Sequence, residues 1–256
     1  MKIGVCTGIE NIYKLEEMGF DYLEAGVNSI ASLEKEKFLE LRKLVDGCSI
    51  KCEVMNAYFP WDMRLTGPDA AGESTVADYA RRAAERAAAL GTRIFVVGNG
   101  GARRFPDGWE MEKALEQFAR AVEIVAEESS KCGIIVTVEP LNKSESNLIN
   151  SVKESLDLIK KINHGNVMQM ADFYHMRKES ESMDDIIEAG EALVHTHIAN
   201  SNGRVFPRES GEDDYESFFG ALKKIGYKGR VSVEANTKDL DKDARAALSL
   251  LRKLAR

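Results

Sequence analysis

Eight times along the chain a short apolar run is followed by a longer charged, amphipathic segment, and that alternation limits the fold more than any single motif. The runs predict strands at residues 2–7 (KIGVCT), 22–27, 50–56, 93–98, 134–140, 167–173, 193–199 (LVHTHIA) and 230–235 (RVSVEA). Several are rich in Val and Ile, as strands buried on both faces of a parallel sheet are. Helices are expected between them, at roughly 11–18, 31–46, 74–90, 109–131, 151–163, 181–190, 214–225 and 239–255. Asp107 with Glu110, and Ser151 with Glu154, have capping-box spacing, and Gly19, Gly47, Gly91, Gly133 and Gly226 follow the expected last turns. Eight βα units in 256 residues predict a single (β/α)8 TIM barrel rather than an open doubly wound sheet, and no GxGxxG follows the first strand. With no Pro/Ser-rich linker and no low-complexity tract, residues 1–256 read as one catalytic domain.

Charge and composition narrow the class. A formal net charge of −7 argues against a nucleic-acid partner, since phosphate backbones select basic faces. Cys6, Cys48, Cys52 and Cys132 have no CxxC spacing, so reduced thiols are expected. The first ten residues, MKIGVCTGIE, lack the pattern of a signal peptide, and no run approaches the ~20 apolar residues of a membrane span. A soluble, cytoplasmic protein with a small-molecule partner and no membrane partner is the expectation.

The polar residues that interrupt the expected strands carry the functional signal. A barrel places its active site at the carboxyl ends of its strands. Glu139 closes the fifth, Asp172 the sixth, His197 the seventh and Glu234 the eighth. Side chains alternate along a strand. His195 and His197 therefore share one face, Val194, Thr196 and Ile198 take the other, and Ser232 shares a face with Glu234. A lone Glu at a strand end is ordinarily a salt-bridged loop residue; four in register on consecutive strands are not. Three carboxylates and one imidazole suit one divalent cation, with Mn2+ favoured and Mg2+ or Co2+ compatible. Glu24, ending the second strand, is a weaker site candidate. His195 reads equally as a core residue or one supporting a ligand, and Cys6 as a small core residue or part of the pocket lining.

The segments VEPLN (138–142), ADFYH (171–175), HTHIAN (195–200) and VEAN (233–236) resemble the sugar epimerases and isomerases of the xylose isomerase-like barrel superfamily. The resemblance is nearest to the ketose 3-epimerases related to tagatose 3-epimerase. It spans the chain, with gaps of 33, 25 and 37 residues between the four ligands, and GGARRFPDG (100–108) is similar to a loop common in the group. It implies Glu139, Asp172, His197 and Glu234 as metal ligands and His175 as a substrate-binding histidine. It further implies that Glu145 orients that histidine or contacts the sugar, and that Arg204 binds a substrate hydroxyl. A homo-oligomer, dimer or tetramer, is implied as well. Arg204 sits one position further from the metal histidine than the pattern expects, and Asn200 stands where an acidic residue is usual.

The expected activity is that of a metal-dependent epimerase of a ketose, keto-sugar or sugar phosphate. It would invert the carbon beside the carbonyl through a metal-bound enediolate, with Glu139 and Glu234 as the acid/base pair and no nucleotide cofactor. The same constellation suits an aldose–ketose isomerase, an inosose-type dehydratase or an enzyme of 3-keto-glycosides. A non-catalytic sugar-binding protein is a remote alternative. The apurinic endonucleases of this superfamily need more histidines for their three metals than the four present. Gly203, Arg204 and Arg208, with Arg103 and Arg104, are candidate phosphate ligands. The loop 56–67 (NAYFPWDMRLTG) reads as a lid, with Phe59, Trp61 and Met63 covering a sugar, or as a subunit interface.

Overall fold

A computed structural model describes residues 1–256. Its eight parallel strands close into a barrel in sequence order: β1 (Lys2–Cys6), β2 (Tyr22–Gly26), β3 (Val54–Asn56), β4 (Ile94–Val97), β5 (Ile135–Val138), β6 (Val167–Asp172), β7 (Leu193–Ile198) and β8 (Arg230–Val233). β8 pairs with β1 from Lys2–Arg230 to Val5–Val233, which completes the ring. The strands are shorter than expected. Glu139 and Glu234 lie one residue beyond β5 and β8, yet their amides still donate to Val97 O (3.2 Å) and Ile198 O (3.1 Å) and hold them to the rim.

The outward faces of the strands meet the helices in one apolar core, to which Val5, Leu23, Met55, Phe95, Val136, Ala171, Ile198 and Val233 contribute. Inside the barrel a small second cluster, Tyr22, Val54, Ile94, Val96 and Met170, fills the layer below the site. Gly4 makes room for it, because a Cβ there would stand 2.4 Å from the Tyr22 ring.

One irregularity matters for function. The β6–β7 register shifts after the Gln169–Leu193 pair, so that Met170 pairs with His195 and Asp172 with His197. An unshifted ladder would set Asp172 beside Thr196, a residue of the opposite face. The sequence expectation that Val194 faces the helices fails for this reason: Val194 packs against the interior cluster, and the inward set resumes at His195.

The expected helices are found, with local departures. Ser151 Oγ accepts the Glu154 amide (3.1 Å) at the start of Val152–Ile162, as its spacing predicts. The Asp107–Glu110 box does not form; Glu110 itself is the N-cap of Met111–Ser130, and Gly108 turns the chain before it at φ 80°. The expected 31–46 helix is interrupted by extended backbone at Glu34, leaving Asn28–Ala31 and Lys35–Asp46. Ahead of Asp184–Ala189 an unexpected helix, Phe173–Glu179, starts directly off β6 because Asp172 Oδ1 accepts the Tyr174 amide (2.7 Å). All four cysteines are free, and no helix is long and apolar enough to cross a membrane.

Arg103, a candidate phosphate ligand in the sequence, is fully buried. It donates to Glu139 O (2.7 Å) and Ile149 O (3.3 Å) and lies over the Phe118 ring, fastening the strand-five rim to its loop. Removing it leaves buried carbonyls unpaired, at about 1–3 kcal/mol each. Arg103→Met should lower the unfolding free energy by about 2–5 kcal/mol in urea titration; a change under about 1 kcal/mol would refute this structural role.

Candidate active site at the barrel mouth

The top inward layer holds Asn56, Gly98, Glu139, Asp172, His197 and Glu234, all within one residue of a strand end. One ligand atom each from Glu139, Asp172, His197 and Glu234 lies within 4.8 Å of the others. His197 Nδ1 stands at the focus: 3.1 Å from Glu139 Oε1, 3.5 Å from Glu234 Oε2 and 3.9 Å from Asp172 Oδ2. The four sequence candidates are thus brought together, and they could hold one cation.

Beneath them Glu24, fully buried, accepts from His197 Nε2 (2.8 Å), His195 Nε2 (3.0 Å) and Ser232 Oγ (2.5 Å). Burial alone would raise its pKa; the charge of His197 and then His195 outweighs it and holds Glu24 well below the usual carboxylate range. The ionised carboxylate fixes a proton of His197 on Nε2, and Nδ1 faces Glu139, Asp172 and Glu234. Tyr22 OH, 2.6 Å from Ser232 Oγ, continues this chain into the barrel interior. His195 is a supporting residue: burial, the largest influence, lowers its pKa and keeps it neutral.

The two glutamates are driven apart electrostatically. Burial first, and then the neighbouring Glu234 charge, raises Glu139 to about 7. Burial would also raise Glu234, but His197 and Arg204 hold it down at about 2. Glu234 is gripped from both sides, by Asn56 Nδ2 (2.8 Å) and Arg204 Nη2 (2.5 Å). His197 is itself raised well above its ordinary value, since Glu24 and Glu234 overcome the cost of burying its charge. At Gly98 a Cβ would come within 1.7 Å of Glu139 Oε2, so this carboxylate has its place only beside a glycine.

His175 is buried next to Asp172. Its Nδ1 accepts the Asn142 amide (3.0 Å), which puts the proton on Nε2; that nitrogen has no partner and lies 3.7 Å from Asp172 Oδ2. Glu145 acts on it at one remove, accepting from Asn142 Nδ2 (2.9 Å), and also pairs with Arg204 Nη1 (3.4 Å). Arg204, left-handed at φ 49°, lies over the Tyr174 ring and spans Glu145 and Glu234. Sequence reasoning passed over Asn56, Asn142 and Gly98; of these only Asn56, a polar strand end, obeyed the rule that found the ligands.

A cavity of about 300 Å3 opens above, lined by Trp61, Gly98, Gly100, Gly101, Glu139, Glu145, Arg204 and Glu234 among others. The expected lid is only partly realised, for Phe59 is fully buried and Met63 packs against the core, while Trp61 stays exposed. Arg208 is paired with Asp243 (2.8 Å), and of the supposed phosphate arginines only Arg104 is exposed without an acidic partner.

The Xylose isomerase-like TIM barrel family model matches residues 12–254. A D-psicose 3-epimerase from Ruminiclostridium cellulolyticum is 26% identical over 268 aligned residues, covering 94% of this chain and 90% of its own. Among solved structures, a D-psicose 3-epimerase determined in the presence of D-fructose superposes with a TM-score of 0.87 at 23% identity, covering 100% of this chain and 99% of that one. A 3-keto-D-glucoside 4-epimerase from E. coli gives 0.83 at 22% identity, covering 99% of each chain. Matched over residues 12–254 and closed into an eight-stranded barrel, the chain belongs to the xylose isomerase-like TIM barrel family.

Proposed function

We propose that this chain, an enzyme of the isomerase class, is a divalent-metal-dependent epimerase of an unphosphorylated ketose or keto-sugar, inverting the carbon beside the carbonyl. One observation carries the reading: three carboxylates and an imidazole nitrogen converge within 4.8 Å at the catalytic end of the barrel. Like charges so close are costly unless a cation is shared among them. The donor set fits a divalent ion of the Mn2+ type, which Glu139, Asp172, His197 and Glu234 would hold. When bound, such an ion would polarise the substrate carbonyl and offset the negative charge that develops as the proton leaves.

The chain's own groups supply the proton transfers. Glu234, held ionised by His197 and Arg204, takes the proton from the carbon, and Glu139, poised near neutrality, returns one to the opposite face. The roles exchange in the reverse direction. His175, with its proton on Nε2, and Arg204 bind substrate oxygens and fix which carbon faces the glutamates. The commitment of Arg103 and Arg208 to internal partners supports a substrate without phosphate.

Three outcomes test this. Chelation should abolish turnover of a ketose panel and Mn2+ restore it, while Glu139→Gln and Glu234→Gln should each lose about 10²–10⁴ in kcat; full turnover in either variant would sink the assignment. Because His197, held charged by Glu24 and Glu234, must shed a proton to ligate, Mn2+ affinity measured by calorimetry should fall by about tenfold per unit as pH drops below 7; a flat profile from pH 8 to 5 contradicts it. Glu24→Gln, which spares all four ligands, should weaken Mn2+ binding about 10–100-fold, and an unchanged affinity would remove Glu24 from the account.

A further inference from the structure

We propose that Glu179, which does not line the cavity, is a positioning residue for His175: its carboxylate fixes the loop after β5, so that Asn142 of that loop sets the His175 tautomer that presents an N–H to the substrate. The inference rests on the sugar-epimerase reading, in which His175 binds a substrate oxygen, and names what keeps that histidine ready to do so.

The helix Phe173–Glu179 is short but pinned at both ends. Asp172 Oδ1 accepts the Tyr174 amide at its start; at its end Ser180 turns left-handed (φ 57°) and the Glu181 amide reaches back to Met176 O (2.9 Å). Arg177 Nε pairs with Asp213 Oδ1 (3.0 Å), whose other oxygen takes the Ser201 amide (2.8 Å) on the loop that carries Arg204. From this frame two carboxylates grip the loop after β5. Glu179 Oε1 accepts the Lys143 amide (2.8 Å), and Glu181 Oε2 accepts the Val152 amide (2.8 Å) at the loop's far end. A carboxylate in the last turn of a helix opposes the helix dipole. Glu179 therefore weakens its own helix, and what it gains is the bond across to the loop. That amide holds its carboxyl below the ordinary value, and so ionised.

His175 and Glu179 are four residues apart on that helix and so share a face. Two consecutive loop amides meet them, Asn142 N on His175 Nδ1 (3.0 Å) and Lys143 N on Glu179. These two bonds fix the peptide planes on either side of the Asn142 Cα, and with them its side chain. Asn142 Nδ2 then reaches His175 Nδ1 (2.8 Å) and Glu145 Oε1 (2.9 Å), while Asn142 Oδ1 accepts the Ser144 amide (3.0 Å). With two donors aimed at it, Nδ1 can only accept, and the one proton of the neutral ring is left on Nε2, which is buried with no partner of its own. Without the Glu179 acceptor one of the two planes is released. The Asn142 donors then no longer converge on Nδ1, and the ring is free to populate both tautomers.

The test follows the His175 ring by 15N NMR in the substrate-free, Mg2+-loaded protein, at about pH 8.5 so that the neutral ring is observed. Its signals are identified by their loss in His175→Gln. The wild type should show one acceptor-type and one N–H-type nitrogen. Glu179→Ala should draw the two signals together as the second tautomer appears, and Glu179→Gln, which keeps an oxygen for the Lys143 amide, should preserve the wild-type pattern. In the Mn2+-loaded enzyme Glu179→Ala should raise KM for D-fructose about tenfold with kcat within about threefold, and Glu179→Gln should return KM to within about threefold of wild type. The ring signals need no turnover, so their shift in a protein that epimerises no ketose keeps the positioning role and defeats the epimerase reading. Epimerisation with the His175 signals unmoved in Glu179→Ala keeps the epimerase reading and overturns the inference. Equal losses in the Ala and Gln variants would also overturn it, by making the ion pair with Lys143 Nζ (3.2 Å) the working contact. So would a lowered melting temperature with ring signals and KM unchanged, which would mark Glu179 as a brace of the fold alone.

Discussion

Buried carboxylates repel one another, and the architecture of this barrel mouth follows from having three of them within reach of one imidazole. Each neighbour answers part of that cost. Glu24 secures His197 from below, Arg204 and Asn56 grip Glu234 from the side, and Asp172 spends one oxygen on the amides that start the next helix. What remains is Glu139, pushed towards neutrality, and a set of oxygens for which a shared dication is the natural counter-charge. Electrostatic frustration of this kind marks a working site rather than a stabilising one.

Much of this was legible in the chain. Counting βα units gave the barrel, and asking which ionisable residues end its strands gave Glu139, Asp172, His197 and Glu234, because strand parity turns a one-dimensional pattern into a shared direction. Parity reasoning failed where the ladder is irregular. The register shift between Gln169 and Met170 has no residue signature such as glycine or proline, yet it is what sets Asp172 level with His197. Asn56 was readable by the same strand-end rule and passed over because an amide does not titrate. Arg103 misled because its loop looked exposed; only the fold reveals that its guanidinium replaces missing partners for buried carbonyls. Asn142 and Gly98 act through tertiary contacts with His175 and Glu139, which spacing does not encode.

Family membership and site chemistry make separate contributions. Solved relatives of 22–23% identity share the architecture, and unrelated activities are routinely built on one barrel. The floor of the site, from Tyr22 through Ser232 and Glu24 to the histidines, is a buried hydrogen-bonded chain whose members do not line the cavity. The rim differs: Trp61 and the glycine-rich wall beside it sit on loops and line the cavity above the glutamates, and loops are where barrels of one family vary.

The central claim is that two glutamates move one proton off and on a single carbon. It is tested most directly by running the Mn2+-loaded enzyme in deuterium oxide on a ketose and a keto-glycoside and locating the label in the product by NMR. The account predicts one solvent deuterium at the inverted carbon, with the neighbouring carbonyl carbon unlabelled and every oxygen retained. Deuterium on the former carbonyl carbon, loss of a hydroxyl group, or no incorporation at all would contradict it.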